Sequence, residues 1–258
     1  MNKTIKLAFE GEFVAVVTLS RPEARNAINS QMARELVEMF ANLPSKIRCV
    51  VLTGKGEKAF CAGADLKERN GMVSSDFEQQ HLLFRKSLLS IINCPVPVIA
   101  AVGGAAFGGG LELAMAADFI YASENARFAM PEVTLGIMAG MGGTQNLPRA
   151  IHQRLAKELL YTGKVFSADD AEKFGLVNAV FAIDDLLEEA LRTAHKIAEN
   201  APLSVRAVKE TIASSLHLPI EEGLAIESEH YKPLLASKDR REGISAFNEK
   251  RKAIFTGE

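Results

Sequence analysis

Two glutamates and a run of three glycines are the residues of this chain best suited to chemistry. Gly108, Gly109 and Gly110 stand directly before an apolar, helix-prone run from Leu111 to Met115. Glycines at that point let the backbone approach a ligand closely, and they leave the first amides of the helix free to bind negative charge. We therefore expect this stretch to hold an anion that develops during a reaction.

Glu112 is the only charged side chain between Phe107 and Ala117. In such apolar surroundings we expect its carboxyl to be buried and its pKa to be raised, which suits proton transfer near neutral pH. A structural ion pair is the other explanation for a glutamate at such a position. A second carboxylate, Glu132, follows Pro131, and the pair favours acid/base chemistry if the fold brings the two together.

Length and composition indicate an ordinary soluble chain. Its 258 residues, 48% hydrophobic and 24% charged, suffice for one large domain or for one domain with a small appendage. A net charge of -2 argues against nucleic-acid or anionic-membrane partners, and no apolar segment is long enough to span a bilayer. Residues 1–11 resemble neither a signal peptide nor a transit peptide, so we expect a cytoplasmic protein.

Several other kinds of site are disfavoured. Cys49, Cys61 and Cys94 form no close metal-ligand pair, which indicates reduced thiols, and Cys61 has no nearby histidine to activate it as a nucleophile. The five histidines are scattered without metal-ligand spacing, so no metal site is expected. The glycine-rich stretch lacks the endings of a P-loop or dinucleotide fingerprint, and no serine occupies a G-x-S-x-G elbow.

Apolar periodicity predicts an α/β fold for most of the chain. Predicted strands cover residues 5–9, 13–19, 49–52, 98–102, 119–122, 127–130 and 176–180, and predicted helices cover 31–43, 76–92 and 153–161. After about residue 184 only helical patterns remain, including 219–235 and 238–250. We therefore divide the chain into a core, residues 1–183, and a helical C-terminal region, residues 184–258, which packs on the core or on a neighbouring subunit.

A loop of small residues runs from Lys58 to Lys67. It follows a predicted strand, so its backbone amides could face a ligand, and Lys67 could reach a phosphate group. A tight turn with a solvated lysine explains the same residues, and the sequence leaves both explanations open.

Taken together, these segments resemble the crotonase superfamily, in particular its enoyl-CoA hydratases. The resemblance extends over essentially the whole chain and is carried by separate segments in the same order: the loop Ala59 to Lys67, the run Ile99 to Met115, the pair Pro131 and Glu132, Gly140 to Gln145, and Asp239 to Lys252. It implies a spiral of repeated β-β-α units, followed by a helical C-terminal region that makes homotrimers, commonly paired into hexamers.

The resemblance also implies roles for individual residues. Glu112 would activate a water molecule and Glu132 would donate a proton. The backbone amides of Ala64 and Gly109 would form an oxyanion hole, and the amide of Gly140 would help to place the water. The activity implied is hydration of a trans-2-enoyl-CoA to a 3-hydroxyacyl-CoA.

The implied partner is an acyl-CoA thioester. Coenzyme A would be part of the substrate, and no metal or redox cofactor would be needed. The family positions assigned to CoA or substrate binding are Ala62, Asp65, Leu66 and Lys67, with Phe247 and Lys250 reaching over from an adjoining subunit.

Three alternatives stay open within this resemblance. The stretches Cys61 to Met72 and Gly223 to Ser228 are also similar to methylglutaconyl-CoA hydratases of leucine breakdown. Related isomerases usually carry a single acid/base glutamate, at the position of Glu132, and some relatives bind RNA, a role that the net charge of -2 disfavours. The sequence departs from the commonest family pattern at Gly103, where asparagine is frequent, and at Ala139, where proline is frequent.

Overall fold

The computed structural model describes residues 3–258, and in that part of the chain two β-sheets are flanked by helices. The strands are β1 Ile5–Glu10, β2 Val14–Leu19, β3 Cys49–Gly54, β4 Ala59–Cys61, β5 Val98–Val102, β6 Ala105–Phe107, β7 Phe119–Ser123, β8 Arg127–Ala129, β9 Phe166–Ser167 and β10 Ala179–Phe181. The α-helices are α1 Ser30–Ala41, α2 Leu66–Arg69, α3 Ser74–Ile92, α4 Gly109–Met115, α5 Gly143–Ala150, α6 Gln153–Thr162, α7 Ala168–Lys173, α8 Leu186–Ala198, α9 Pro202–Ser215, α10 Ile220–Tyr231 and α11 Lys238–Glu249. Short 3-10 turns cover Pro22–Ala24, Glu132–Leu135 and Lys232–Ala236.

From β3 to β8, consecutive strands of the chain alternate between the two sheets. The larger sheet has the strand order β1-β2-β3-β5-β7-β10, and the smaller has the order β4-β6-β8-β9. The pairs β3 and β4, β5 and β6, and β7 and β8 each place one strand in either sheet before the chain turns into helix. This repetition is the spiral of β-β-α units that the family resemblance implied.

The inner strands β2, β3 and β5 of the larger sheet are buried on both faces, which explains their almost continuous apolar sequences. In β3, Val50 and Leu52 point into the main core, whereas Cys49 and Val51 point to the opposite face. Helix α8 covers that opposite face with four alanine or leucine side chains: Leu186, Ala190, Ala194 and Ala198.

Several predicted elements are confirmed with small changes of boundary. The first two strands pair as an antiparallel hairpin, with Ile5 opposite Leu19. Helix α1 begins as expected, because the side chain of Asn29 accepts a hydrogen bond of 2.9 Å from the amide of Met32.

Two predictions about local structure were wrong. Residues Ala59–Cys61, predicted as part of a loop, are strand β4 of the smaller sheet, and they pair in parallel with β6, residues Ala105–Phe107, for which no element was predicted. Three residues are too few to show an alternating pattern, so nothing in the sequence marked β4 or β6 as a strand. The strand predicted at 176–180 begins only at Ala179. Leu176 is buried, as its apolar character suggested, but it belongs to a turn in which its amide donates a hydrogen bond to the carbonyl of Ala171.

Helices α9, α10 and α11 finish the chain and leave large apolar side chains in solvent. These include Val208, Ile212, Leu216, Ile220, Leu224 and Phe247. The division between residues 183 and 184 stays a prediction, although α8, just beyond it, packs on the larger sheet. Among residues 3–258, no helix combines the length and the apolar character needed to cross a membrane.

Candidate active site

A cavity of about 910 Å³ opens where the strands of the smaller sheet end. Both predicted glutamates, Glu112 and Glu132, line it, together with Ala64 and Gly109. Helix α3 and the segment after Glu132 supply an apolar wall that includes Phe77, Phe84, Leu88, Ile92, Leu135 and Met138. The fold therefore brings together, from three separate segments, the residues that the sequence and its family resemblance singled out.

Glu112 projects from helix α4 and is 2% exposed. Its Oε1 atom accepts two backbone hydrogen bonds of 2.7 Å, from the amides of Met141 and Gly143. Burial raises the pKa of Glu112 to about 7; the Gly143 hydrogen bond opposes this shift, and the nearby charge of Glu132 adds to it. The carboxyl can thus take up or release a proton near neutral pH, as the sequence predicted.

Glu132 opens the 3-10 turn that follows Pro131, and its side chain is buried. Its Oε2 atom has no hydrogen-bond partner among residues 3–258. Burial raises the pKa of this carboxyl, while its own backbone amide and the charge of Arg69 oppose the shift. A buried carboxyl with one free oxygen can hold a proton and deliver it to a molecule in the cavity.

Gly108 makes room for that carboxyl. A Cβ atom at this position would lie 2.8 Å from Oε1 of Glu132, and the backbone has a φ of 51°. Both the close approach and the left-handed conformation require glycine here.

The amides of Ala64 and Gly109 stand at the ends of adjacent parallel strands, β4 and β6. Neither N–H donates a hydrogen bond to any acceptor within residues 3–258. The two backbones are close, since a Cβ atom on Gly109 would lie 3.8 Å from the nitrogen of Ala64. Two unpaired donors side by side can stabilise one oxyanion.

The remaining predicted positions near the cavity differ in what their side chains do. Ala62 and Leu66 line the cavity, and Lys67 is exposed beside it. The carboxylate of Asp65 is already engaged: it caps helix α2 through the amides of Lys67 and Glu68 and pairs with Arg21 at 2.8 Å. Binding of coenzyme A by these residues stays a prediction, and for Asp65 it would have to use the backbone.

Three predicted positions lie where their roles are still predictions. Gly140 lines the cavity, and a Cβ atom there would lie 2.8 Å from Cε1 of His81. Phe247 is 83% exposed on α11, and Lys250 ends that helix; neither lines the cavity of its own chain. A position outside the cavity of their own chain is what we expect of residues that contact the substrate of a neighbouring subunit.

No group of three or more histidine, cysteine, aspartate or glutamate side chains within the described residues is arranged to hold a metal ion. The three cysteines are buried free thiols, and burial raises the pKa of Cys61 to about 12.

Comparison with known proteins agrees with this geometry. The family model described as enoyl-CoA hydratase/isomerase matches residues 10–258. The chain belongs to this family. A short-chain-enoyl-CoA hydratase of Clostridium acetobutylicum is 42% identical over 254 residues, covering 98% of this chain and 97% of the relative.

Two further members of the enoyl-CoA hydratase/isomerase family show the range of the similarity. An (E)-benzylidenesuccinyl-CoA hydratase of Thauera aromatica is 40% identical over 246 residues, covering 95% of this chain and 96% of the relative. The crystal structure of an enoyl-CoA hydratase from Bacillus anthracis superposes with a TM-score of 0.97 at 41% identity, covering 99% of this chain and 100% of that one. The crotonase fold expected from the sequence is therefore confirmed.

Sequence reasoning missed several residues of this family member's site. The amides of Met141 and Gly143, which hold Glu112, lie in the segment Gly140 to Gln145, in which the resemblance gave a role only to Gly140. Arg69 and His81 also line the cavity, and no feature of the charge pattern distinguished them from solvated side chains. The helical periodicity of α3 indicated a buried face but not that this face would wall a cavity.

Proposed function

We propose that the protein is an enoyl-CoA hydratase, which adds water across the 2,3 double bond of a trans-2-enoyl-CoA to give a 3-hydroxyacyl-CoA. The observation that carries this proposal is the pairing of two buried carboxyls with two unpaired backbone amides in one cavity. Each of these four groups has a catalytic role in a hydration. An isomerase that used a single carboxyl as acid and base would give the second carboxyl no role.

The amides of Ala64 and Gly109 are proposed to hold the thioester oxygen. When water attacks C3, electron density moves from the double bond onto that oxygen, which becomes enolate-like. Donors that are already in place stabilise this charge without reorganisation, which is why such an arrangement accelerates the step. The substrate is thereby also oriented along the cavity.

Glu112 is proposed to accept a proton from the attacking water. Its Oε1 atom is held by the Met141 and Gly143 amides, and its pKa of about 7 lets the carboxylate form exist at neutral pH. Glu132 is proposed to deliver a proton to C2, because burial favours its protonated form. The water oxygen ends on C3 with its remaining hydrogen, and the proton from Glu132 ends on C2. Glu112 then holds the proton taken from water, and passage of a proton from Glu112 to Glu132 by way of solvent restores both carboxyls for the next turnover. No electrons are transferred, so the proposed reaction needs no redox cofactor.

The acyl group is left open by the relatives' names, which include both a short-chain substrate and a benzylidenesuccinyl one. The methylglutaconyl alternative drawn from the sequence belongs to this open question. For coenzyme A we propose Ala62, Leu66 and Lys67 on one side, with Phe247 and Lys250 of a neighbouring subunit on the other. The exposed apolar side chains of α9, α10 and α11 support a trimer or hexamer.

The test is the initial rate at which enoyl-thioester absorbance is lost with crotonyl-CoA and, in parallel, with 3-methylglutaconyl-CoA. Product analysis by mass spectrometry should show the gain of one water. A double bond that shifts without a gain of mass would instead assign an isomerase, and no reaction with either substrate would refute the proposal. The molar mass in solution, compared with 28.0 kDa for one chain, tests the trimer or hexamer.

A further inference from the structure

Arg69 is a positive side chain inside the cavity that also contains Glu112 and Glu132. It ends helix α2 and is partly buried. Its guanidinium carbon lies 4.6 Å from the ring centre of Phe77 and 5.4 Å from that of Phe84. The arginine therefore lies against the aromatic part of the cavity wall rather than extending into solvent.

Only one of the three guanidinium nitrogens of Arg69 has a partner within residues 3–258. The Nε atom donates a hydrogen bond of 2.8 Å to Oε1 of Gln80, and the two terminal nitrogens make no hydrogen bond or ion pair there. They are not sealed in the interior either, because the buried unpaired side-chain atoms are on Glu132 and Arg206. A ligand can therefore reach the two terminal nitrogens of the Arg69 guanidinium.

Gln80 holds the arginine in place. It is 4% exposed, and its Nε2 atom donates to Oγ of Ser30 at 3.1 Å and to a carboxylate oxygen of Glu68 at 2.7 Å. These two acceptors determine which way the amide faces, so that its oxygen points to Arg69. A guanidinium fixed through Nε presents its terminal N–H groups in one orientation, which favours a planar anion such as a carboxylate.

The charge of the cavity supports the same interpretation. A purely apolar acyl chain would need no cation beside its path. The charge of Glu68 compensates the partly buried guanidinium most, followed by those of Glu112 and Glu132, but none of these three carboxylates forms an ion pair or hydrogen bond with its terminal nitrogens. A substrate with a second carboxylate, in contrast, would be repelled by Glu112 and Glu132 unless a positive group stood near them. Arg69 stands close enough to act electrostatically on both glutamates.

We propose that Arg69 is a specificity-determining residue that binds a carboxylate on the acyl group, remote from the thioester. The substrate class is then the 2-enoyl-CoA monothioesters of dicarboxylic acids. This inference rests on the proposed hydratase function of the same cavity and adds a substrate class to it. The two terminal nitrogens of the Arg69 guanidinium form a bidentate ion pair with that carboxylate, while the thioester oxygen lies at the Ala64 and Gly109 amides.

The experiment compares trans-glutaconyl-CoA with 5-methylhex-2-enoyl-CoA, in which two methyl groups replace the two carboxylate oxygens. Steady-state rates are measured for the wild type and for Arg69→Met, Arg69→Lys and Lys86→Met. Lys86 is an exposed cation on α3 outside the cavity lining and is the matched control. Each rate is followed over a pH series, because loss of the Arg69 charge also changes the electrostatics around Glu112 and Glu132.

The wild type should prefer glutaconyl-CoA in kcat/KM. Arg69→Met should lower kcat/KM for glutaconyl-CoA by roughly 10- to 100-fold, mainly through KM, because a charge-assisted pair is lost. The kcat/KM of Arg69→Lys for glutaconyl-CoA should lie between those of the wild type and Arg69→Met, since lysine keeps the positive charge but cannot form a bidentate pair. The plateau rate of Arg69→Met with the neutral thioester should change little, which also shows that the variant is folded, and Lys86→Met should match the wild type.

A wild type that hydrates both thioesters equally well overturns the Arg69 proposal and leaves the hydratase function standing. An equal loss for both substrates in Arg69→Met, with a displaced pH profile, likewise overturns it, because Arg69 would then act only on the two glutamates. If the wild type hydrates neither of these thioesters nor crotonyl-CoA, the proposed function itself fails.

Discussion

Replacing Glu112 by glutamine should inactivate the enzyme and at the same time make it more stable at alkaline pH. The amide of glutamine keeps the shape of the side chain, and its oxygen can still accept the hydrogen bonds from Met141 and Gly143. It cannot accept a proton from water. Hydration of crotonyl-CoA should therefore fall by roughly 10²- to 10⁴-fold, with little change in the shape of the cavity.

The gain in stability follows from the buried charge. The pKa of Glu112 rises from an ordinary 4.5 to about 7 in the folded protein, which at about 1.4 kcal/mol per unit corresponds to about 3 kcal/mol. Because the folded pKa is the higher one, the folded state carries no penalty below pH 4.5, loses stability as the pH rises to about 7, and bears the full penalty above that. Glutamine carries no charge, so this penalty disappears from the variant.

Urea unfolding of the wild type and Glu112→Gln at pH 5 and pH 8 measures this difference directly. The variant should be more stable than the wild type by only about 1 kcal/mol at pH 5 and by about 3 kcal/mol at pH 8. Glu57→Gln, which removes an exposed carboxylate, should show no such dependence on pH. A Glu112→Gln protein that is less stable than the wild type at pH 8 would refute the reasoning, since the carboxylate would then be stabilised rather than penalised by its site.

Three further predictions address the surroundings of the two glutamates. Gly108→Ala should abolish hydration of crotonyl-CoA, because the new Cβ would lie 2.8 Å from Oε1 of Glu132. Gly71 is also at positive φ but has nothing within 4 Å of the position that an added Cβ would take, so Gly71→Ala should lose only about 1–2 kcal/mol of stability and keep the wild-type hydration rate. The kcat/KM of the wild type should rise with pH through a midpoint near the Glu112 pKa of about 7, because water activation needs the carboxylate; a flat profile from pH 5 to 9 would exclude Glu112 as the base. Asp65→Ala should cost about 1–3 kcal/mol in urea unfolding and raise KM, since the cap of α2 and the partner of Arg21 are lost. Ser167→Ala, which removes the cap of α7, should cost a similar amount of stability without changing KM.

The sequence predicted the two glutamates because each contrasts with its neighbours. A charged side chain in an apolar helix can be recognised without coordinates, and the burial of Glu112 and the direction of its pKa shift were both predicted correctly. Its meeting with Glu132 was not derivable from spacing, because it depends on how β5, β6 and β8 pair across two sheets. The resemblance to a known family supplied that step.

The groups that support the glutamates could not be predicted for a related reason. The amides of Met141 and Gly143 act through the backbone, which carries no residue-specific signal. The hydrogen bond between Gln80 and Arg69 joins two elements whose distance is set by the packing of α2 and α3. Strands β4 and β6 are too short to produce a periodic pattern, so of the strands in the smaller sheet only β8 was predicted, although the ends of β4 and β6 carry the site.

The two amides at the ends of β4 and β6 have a consequence for how this protein can change over time. Because the donors belong to the main chain, no exchange of one side chain for another removes either of them, except an exchange to proline, which lacks the N–H. Their separation is maintained by strand pairing. A scan that replaces each residue by alanine would therefore overlook the part of the site that receives the developing charge. Side chains around the cavity are free to vary while this pair persists, so a lineage can acquire new acyl substrates without first having to rebuild the means of activating a thioester.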